Sequence, residues 1–494
     1  MRALSTDRIF NATVFTSSPF ASNNYSFVKP TLLVHRLRTE LGLEARLKLS
    51  STAMALILTA IALVLPIGDG CAAVFSPKSF VLDNGLRVVV IENRRAPIVM
   101  QMLWYRVGAA DEEPGESGLA HLLEHLLFKG TKTTAPGEFS RTISRIGGQD
   151  NAFTSYDFTA YFQRVAANEL ETIMRLEADR MENLALTDEV VLTERDVVRE
   201  ERRSRTDNSP AAQLREQVRR VLYLNHPYGR PVIGWMNEID KLTTEKALAF
   251  YRKHYSPSNA MLIIAGDVTL DRVRKLAKKY YGPIPGRAVP PRVRPKEPPH
   301  RASRRVELRN TRIKLPAISR TYLAPSYSTG KNKIAYPLEV LAQALGGGTT
   351  SLLYRKLVVE LGIASSAGAW YSGDGLDYGE FGIYASPRAG GNIAALENAL
   401  FHELSVGIEE GFKIQDIERA KKLIAAQAIY ARDGIRAGPN AIGQAFTQGQ
   451  TIADVEAWPE RIAAVTPGQV MEAARAVFDV KRSVTSVLLP KGDR

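Results

Sequence analysis

Cysteine is nearly missing. Among 494 residues only Cys71 carries a thiol, so neither an intrachain disulfide nor a thiolate zinc cluster nor an iron–sulfur site can be built from this chain. Any metal must rest on His, Asp or Glu. Long apolar runs are also missing: the longest, Ala53 to Ile67 (AMALILTAIALVLPI), holds 15 residues, short of the ~20 needed to span a bilayer. No charge extreme or compositional bias marks the chain as disordered or collagenous, since it is 45% hydrophobic and 24% charged. What is present is an ordinary globular composition with a basic balance, 65 Lys+Arg against 52 Asp+Glu, a net charge of +13. Such a balance is compatible with anionic partners, but a soluble basic protein is the simpler reading.

The apolar run follows Arg46 and Lys48 and precedes Gly68, Gly70, Cys71, Ala72 and Ala73, the pattern of a signal peptide with cleavage before Val74. Residues 1–73 are therefore expected to be a signal peptide behind a start codon placed too far upstream. Their seven Lys/Arg and four Asp/Glu carry three net positive charges, so cleavage leaves +10. A periplasmic or secreted bacterial protein with no stable membrane anchor follows; the alternative is a retained anchor.

Downstream, FVLDNGLRVVVI (Phe80 to Ile91) places Asp83-Asn84-Gly85 between two β-rich pieces, a hairpin signal. Val99 to Val107 reads as a second strand. Helical periodicity then covers Gly118–Phe128, Phe139–Ile146, Glu169–Leu184, Thr187–Arg205, Pro210–Leu222 and Thr244–Tyr255, with strands at Asn151–Val165 and Ala260–Val268. Gly282 to Pro299 (GPIPGRAVPPRVRPKEPP) holds seven prolines besides Arg287, Arg292, Arg294 and Lys296, a composition that favours an extended linker. Beyond it, strands at Arg304–Leu308, Ile318–Leu323 and Phe381–Ala385 alternate with helices at Lys333–Leu345, Ser351–Leu361, Ile393–Glu410 and Ile414–Ala431. The order repeats, so the expected fold class is α+β: two duplicated domains, 74–281 and 300–494, joined by the linker 282–299, each a mostly antiparallel sheet packed with helices.

The most informative residues are His121-Leu122-Leu123-Glu124-His125, H-x-x-E-H on an apolar helix. Residues three and four apart share a helix face, so His121 and His125 can hold one metal with Glu124 beside it. A catalytic zinc needs a third protein ligand and an open position. The segment ERDVVREE supplies Glu194, Glu200 and Glu201, on a helix expected to turn Val197 and Val198 inward. Glu194 and Glu201 are seven apart and share a face, whereas Glu200 points about 100° away. That pair is preferred, although a solvated, salt-bridged helix remains the alternative, and is the reading for the surroundings of Arg202, Arg203 and Arg205.

These residues resemble the inverzincin metallopeptidases, which include pitrilysin, insulin-degrading enzyme and the mitochondrial processing peptidases. The resemblance runs from about Phe80 onward, through GLAHLLEHLLFKGT, GGQDNAFTSYDFTAYF and GGGTTSLLYRKL, and is closest to the bacterial and processing-peptidase branch; the interval from His125 to Glu201, 76 residues, also matches. It implies that His121, His125 and Glu201 bind one Zn2+ per chain, that Glu124 activates water as catalytic base, and that Glu194 supports the site. It implies an exposed edge strand near the metal to which an extended peptide adds, with Asn151 and Ala152 as substrate contacts, and a clamshell half enclosing the peptide.

The chain departs from the family in its second half. Many members place an Arg and a Tyr seven residues apart there, reaching back to the substrate carbonyl. Aligned on Gly346-Gly347-Gly348 and Leu361-Gly362-Ile363-Ala364, those places hold Val358 and Ser365. Valine has no donor and serine is too short, and one missing donor can cost roughly 10²–10³ in rate. The resemblance then implies a heterodimer in which a homologous partner brings the Arg–Tyr couple; Arg355 lies about three residues out of phase to replace it. Two other readings compete: a non-catalytic structural or chaperone-like subunit of the same fold, and a nucleic-acid binder, against which stand the scattered Lys/Arg and the absence of any recognised nucleic-acid motif.

Overall fold

The computed structural model describes residues 74–329 and 334–491. The expected signal peptide lies outside the described residues. Among them, no helix is long and apolar enough to cross a membrane.

Two sheets organise the chain. The first has the order β1-β2-β6-β3-β5-β4, from β1 (Lys78–Val81), β2 (Arg87–Glu92), β3 (Ile98–Tyr105), β4 (Gln149–Thr154), β5 (Thr159–Ala166) and β6 (Ala260–Gly266). The second, β7-β11-β8-β10-β9, uses β7 (Arg304–Asn310), β8 (Ala317–Pro325), β9 (Ala364–Ser372), β10 (Tyr378–Pro387) and β11 (Ser483–Pro490). Dropping β1 superimposes the orders: β2 runs parallel to β6 as β7 does to β11, and every other pair is antiparallel. The mostly antiparallel α+β class and the duplication therefore hold.

The helices of eight or more residues repeat too. In the first half they are α1 (Leu119–Leu126), α2 (Glu138–Arg145), α3 (Leu170–Glu182), α4 (Asp188–Arg202), α5 (Pro210–Leu222), α6 (Thr244–His254) and α7 (Leu270–Tyr280). In the second they are α8 (Ala335–Gly346), α9 (Ile393–Glu410), α10 (Ile414–Ala431), α11 (Ala437–Thr447) and α12 (Pro467–Val477). Helix α1 packs on α4, as α8 does on α10.

The Asp83-Asn84-Gly85 turn forms as read. Gly85 takes φ +88°, and Asn84 Nδ2 donates to the carbonyls of Tyr281 (2.7 Å) and Ile284 (2.9 Å), pinning the hairpin to the end of α7. The segment Asn151–Val165, read as one strand, is instead the β4–β5 hairpin, turning at Ser155–Phe158. Pairing inverts the parity across this turn, odd Tyr161 and Val165 of β5 facing the same side as even Ala152 of β4, but aromatic residues on both faces of the run conceal the break. Ser351–Leu361 is also not a regular α-helix: residues Tyr354–Glu360 form π-helical turns, with the Leu361 amide on the Lys356 carbonyl.

Each half lends one helix to the other's sheet. The stripe Leu214, Val218 and Leu222 of α5, at i, i+4 and i+8, joins Leu323, Val484 and Leu488 of the second sheet. Reciprocally, Ile442 and Phe446 of α11 pack with Met100, Trp104 and Ile263 of the first. Gly443 permits this approach, since a Cβ there would lie 2.1 Å from the Trp104 ring. Exposing any one of these large apolar side chains would cost about 1.5–3 kcal/mol, which makes the exchange a cohesive element of the fold.

The proline-rich stretch carries neither helix nor strand over residues 285–301, but it is no free tether. Arg294 is buried between Asp111 (2.7 Å) and Asp157 (3.2 Å). Arg292 donates to the carbonyls of Asp157 (3.1 Å) and Thr447 (2.5 Å), and the Glu297 carboxylate accepts the amides of Leu224, Asn225 and His226. The linker's arginines hold the β4–β5 turn and the end of α11 together.

Candidate metal centre

Helix α1 is built to be held still. Leu119, Leu122, Leu123 and Leu126 are fully or almost fully buried, and its N-terminus is pinned by Glu112, whose Oε1 accepts the amides of Gly118 (3.1 Å) and Ala120 (2.8 Å). Gly118 begins the helix at φ +91°, where a Cβ would meet the Ile233 carbonyl at 2.7 Å. Burial pushes the Glu112 carboxyl well up despite those hydrogen bonds. The sequence reading missed Glu112; the acidic run Asp111-Glu112-Glu113 just ahead of a helix start was its available signal.

On this rigid helix His121 and His125 face Glu201 at the end of α4. His121 Nε2 lies 3.7 Å and His125 Nε2 3.3 Å from the Glu201 carboxylate, and one ligand atom from each of the three residues lies within 4.8 Å of the others. Donors about 2.0–2.1 Å from a tetrahedral zinc stand about 3.4 Å apart. Spacing and donor set, two imidazoles and a carboxylate, thus fit a zinc ion with one position left for water or substrate.

The surrounding charges agree with that. Burial, then the neighbouring His125, holds His121 down at about 3. Burial also disfavours charge on His125, but Glu194 and Glu201 outweigh it and raise the imidazole to about 9. Burial likewise opposes ionisation of Glu201, yet His125, His121 and Arg205 bring it down to about 2. Glu194 and Glu201 thus favour positive charge at His125, while His121 beside it is held neutral, the form in which an imidazole binds a metal.

Glu194 lies against the same imidazole, 3.4 Å from His125 Nδ1, and takes Lys129 Nζ at 2.6 Å. Its carboxyl is lowered although burial raises it, because those two partners dominate. The face shared by Glu194 and Glu201 is the one turned to α1. Glu200 points to solvent and pairs with Arg203. Two details of the α4 reading are corrected. Val198 is buried but Val197 is 45% exposed, since the inward position is already taken by the carboxylates. Arg202, read as solvated, is buried on Glu216 (2.9 Å) and the Gly234 carbonyl (2.8 Å), because α4 is covered by α5 and by the loop around Gly234.

Glu124 sits beside the cluster with Oε2 accepting the Thr154 hydroxyl at 2.5 Å. Burial raises its carboxyl above the usual range, with Thr154 pulling the other way, which moves it toward the proton affinity a general base needs. Thr154 was legible only as part of a strand. It ties the metal helix to β4, the edge of the first sheet: no described strand pairs beyond it. Asp150, Ala152 and Thr154 face α1 and α2, while Asn151 and Phe153 face the opposite side. Asn151 is exposed and Ala152 half-buried. Val358 and Ser365 stay within the second half: Val358 packs on its core, and Ser365 Oγ donates to the carbonyls of Ser386 (3.3 Å) and Pro387 (3.0 Å).

Comparison with known proteins follows this geometry. Residues 87–235 match the family model described as insulinase (peptidase family M16), and residues 241–424 that of the peptidase M16 inactive domain. The zinc protease PqqE of Helicobacter pylori is 37% identical over 295 residues, 59% of this chain and 65% of that protein, so the aligned part spans just under two thirds of its length. A zinc protease of Mycobacterium tuberculosis is 32% identical over 323 residues, 64% of this chain and 71% of the relative. Among solved structures, a protease from Helicobacter pylori superposes with a TM-score of 0.78 at 28% identity, covering 84% of this chain and 99% of that one. The first half of the periplasmic protease PqqL from Escherichia coli has the same fold, with a TM-score of 0.72 at 22% identity, covering 84% and 92%.

Proposed function

The chain belongs to the insulinase family of peptidases, M16, and from that premise we propose that it is a zinc-dependent endopeptidase acting on extended peptides within a closed chamber. The observation that carries this reading is the convergence of His121, His125 and Glu201 within 4.8 Å, with Glu124 on the same helix. These three residues would hold one zinc ion per chain, and Glu194 would fix the His125 ring through its second nitrogen. Zinc in such a set supplies Lewis acidity toward a carbonyl oxygen and acidifies water. Glu124 takes the proton from the attacking water and returns it to the leaving amine. Thr154 holds that carboxylate against β4, so a peptide pairing along Asn151 and Ala152 brings its backbone beside the base.

With Val358 and Ser365 committed elsewhere, the Arg–Tyr couple comes from a homologous partner chain in a heterodimer. The apolar segment Ala53–Ile67 directs the protein to the periplasm or outside the cell, and cleavage leaves no stable membrane anchor. The test is Glu124→Gln, assayed with the partner present. Zinc content by plasma mass spectrometry should stay at one per chain while hydrolysis falls about 10²–10⁴-fold; retained hydrolysis removes the proposed base. A structural or chaperone-like subunit is the second reading, favoured by the match of residues 241–424 to an inactive domain. Zinc bound without hydrolysis by the wild-type chain, alone or mixed with an Arg–Tyr-bearing homologue, would select it.

A further inference from the structure

Arg436, just before α11, reaches from the second half onto the far face of the first sheet. Its guanidinium carbon lies 4.2 Å from the ring centre of Phe162 and 5.7 Å from that of Phe153. Phe162 is the cross-strand neighbour of Asn151 on β4, so Asn151, Phe153, Phe162 and Arg436 share one face at the open edge. Among the described residues the Arg436 side chain has neither ion pair nor hydrogen bond, and its Nε is buried without a partner. One helical turn on, the buried Oδ1 of Asn440 is also unpartnered. Burial alone lowers the guanidinium's proton affinity; no carboxylate acts on it. The acids nearest in the chain and on β4 are engaged elsewhere: Asp433 pairs with Arg95 (3.1 Å), and Asp150 takes Ser140 (2.5 Å) on the opposite face. A half-buried cation on aromatic rings, lacking a counter-ion and open to one side, is a receptor waiting for an anion.

We propose that Arg436 selects an acidic side chain of the bound peptide. The proposal rests on the reading that β4 receives substrate as an added strand. Such a strand alternates its side chains between the two faces. Those on the Glu124 face meet α1, and those on the other face meet Phe153, Phe162 and Arg436, where a Glu carboxylate completes a charge-assisted pair. The preference must therefore fall on the residue over Arg436 and be absent at its two neighbours, whose side chains turn to the other face.

The experiment uses the zinc-loaded Glu124→Gln protein, which is expected to bind without cleaving. Fluorescent ten-residue peptides, neutral but for a single Glu, Gln or Lys at one of six consecutive positions, are titrated by anisotropy. The expected result is about tenfold tighter binding of Glu over Gln at one of the six positions, with no gain at the positions beside it. The gain should vanish in Arg436→Gln, survive in part in Arg436→Lys, and turn into a preference for Lys in Arg436→Glu. Melting midpoints of the variants separate loss of selection from loss of fold. Equal binding of Glu and Gln peptides, or a gain at every position alike, overturns the Arg436 assignment while leaving the docking strand intact. No binding by any peptide removes the docking strand itself, and the proposal with it.

Discussion

The two halves share one scaffold and divide its chemistry. In the first, α1 follows β3 with the sequence LAHLLEHL; in the second, α8 follows β8 with AYPLEVLAQALG. Both are apolar helices clamped between a sheet and a facing helix. Their polar residues differ in what meets them. Facing α1, helix α4 offers Glu194 and Glu201, whereas facing α8, helix α10 buries Ile417, Ala420, Ile424 and Ala428, and its buried Asp416 is taken by Arg355 (2.7 Å) and Arg419 (2.6 Å). Glu339 of α8 is absorbed by Tyr327 and the Trp458 indole (3.1 Å), and Gln343 caps the helix end through the Gly347 carbonyl (3.1 Å). A metal centre thus needs more than polar residues at helix spacing. It needs a second element that turns carboxylates toward them.

Breaking that difference should have its largest effect at the ligand. Glu201→Gln is expected to empty the zinc site and lower hydrolysis by about 10⁴-fold or more, while Asp416→Asn on the facing helix of the second half leaves the metal content unchanged. Metal analysis of the two proteins side by side decides it. Next comes the strap that joins the halves: Arg294→Met strands two buried carboxylates, Asp111 and Asp157, and should cost about 3–5 kcal/mol in urea unfolding. Glu194→Gln retains the ligands but frees the His125 ring, so zinc affinity by competition with a chelator should fall about 10–100-fold.

The smallest effects are in pH. Burial lowers His254 in the first half to about 4 and raises Asp374 in the second to about 7. For His254 the unfolded chain binds the extra proton, so stability is full above about pH 6.5 and is lost as pH falls toward 4. For Asp374 the folded chain binds it, so stability falls as pH rises from about 4 toward 7. Melting curves of His254→Gln and Asp374→Asn across pH 4 to 7.5 should flatten opposite slopes, and slopes of one sign in both would sink the contrast.

Much of the site was legible. His121, Glu124 and His125 stand out because a helix repeats every 3.6 residues, and Glu194 was separated from Glu200 by the same arithmetic. Thr154, Lys129 and Glu112 were not, because each acts through a partner far away in the chain or through a backbone amide, and no local period marks such contacts. The seam was hidden for a related reason. Arg292 and Arg294 look like solvated linker charges until Asp157, in a turn that alternation passed over, is brought beneath them.

The sequence by itself determined the local elements and the duplicated order, since hydrophobic period, turn residues and helix faces are properties of neighbouring residues. It also determined which half carries a metal motif. Only the tertiary structure decided that α5 and α11 cross to the opposite sheets, that the proline-rich stretch is a strap anchored through Arg292 and Arg294, and that Arg436 lies over Phe162 without a counter-ion. Those outcomes depend on contacts between residues hundreds of positions apart, where burial sets the value of every charge.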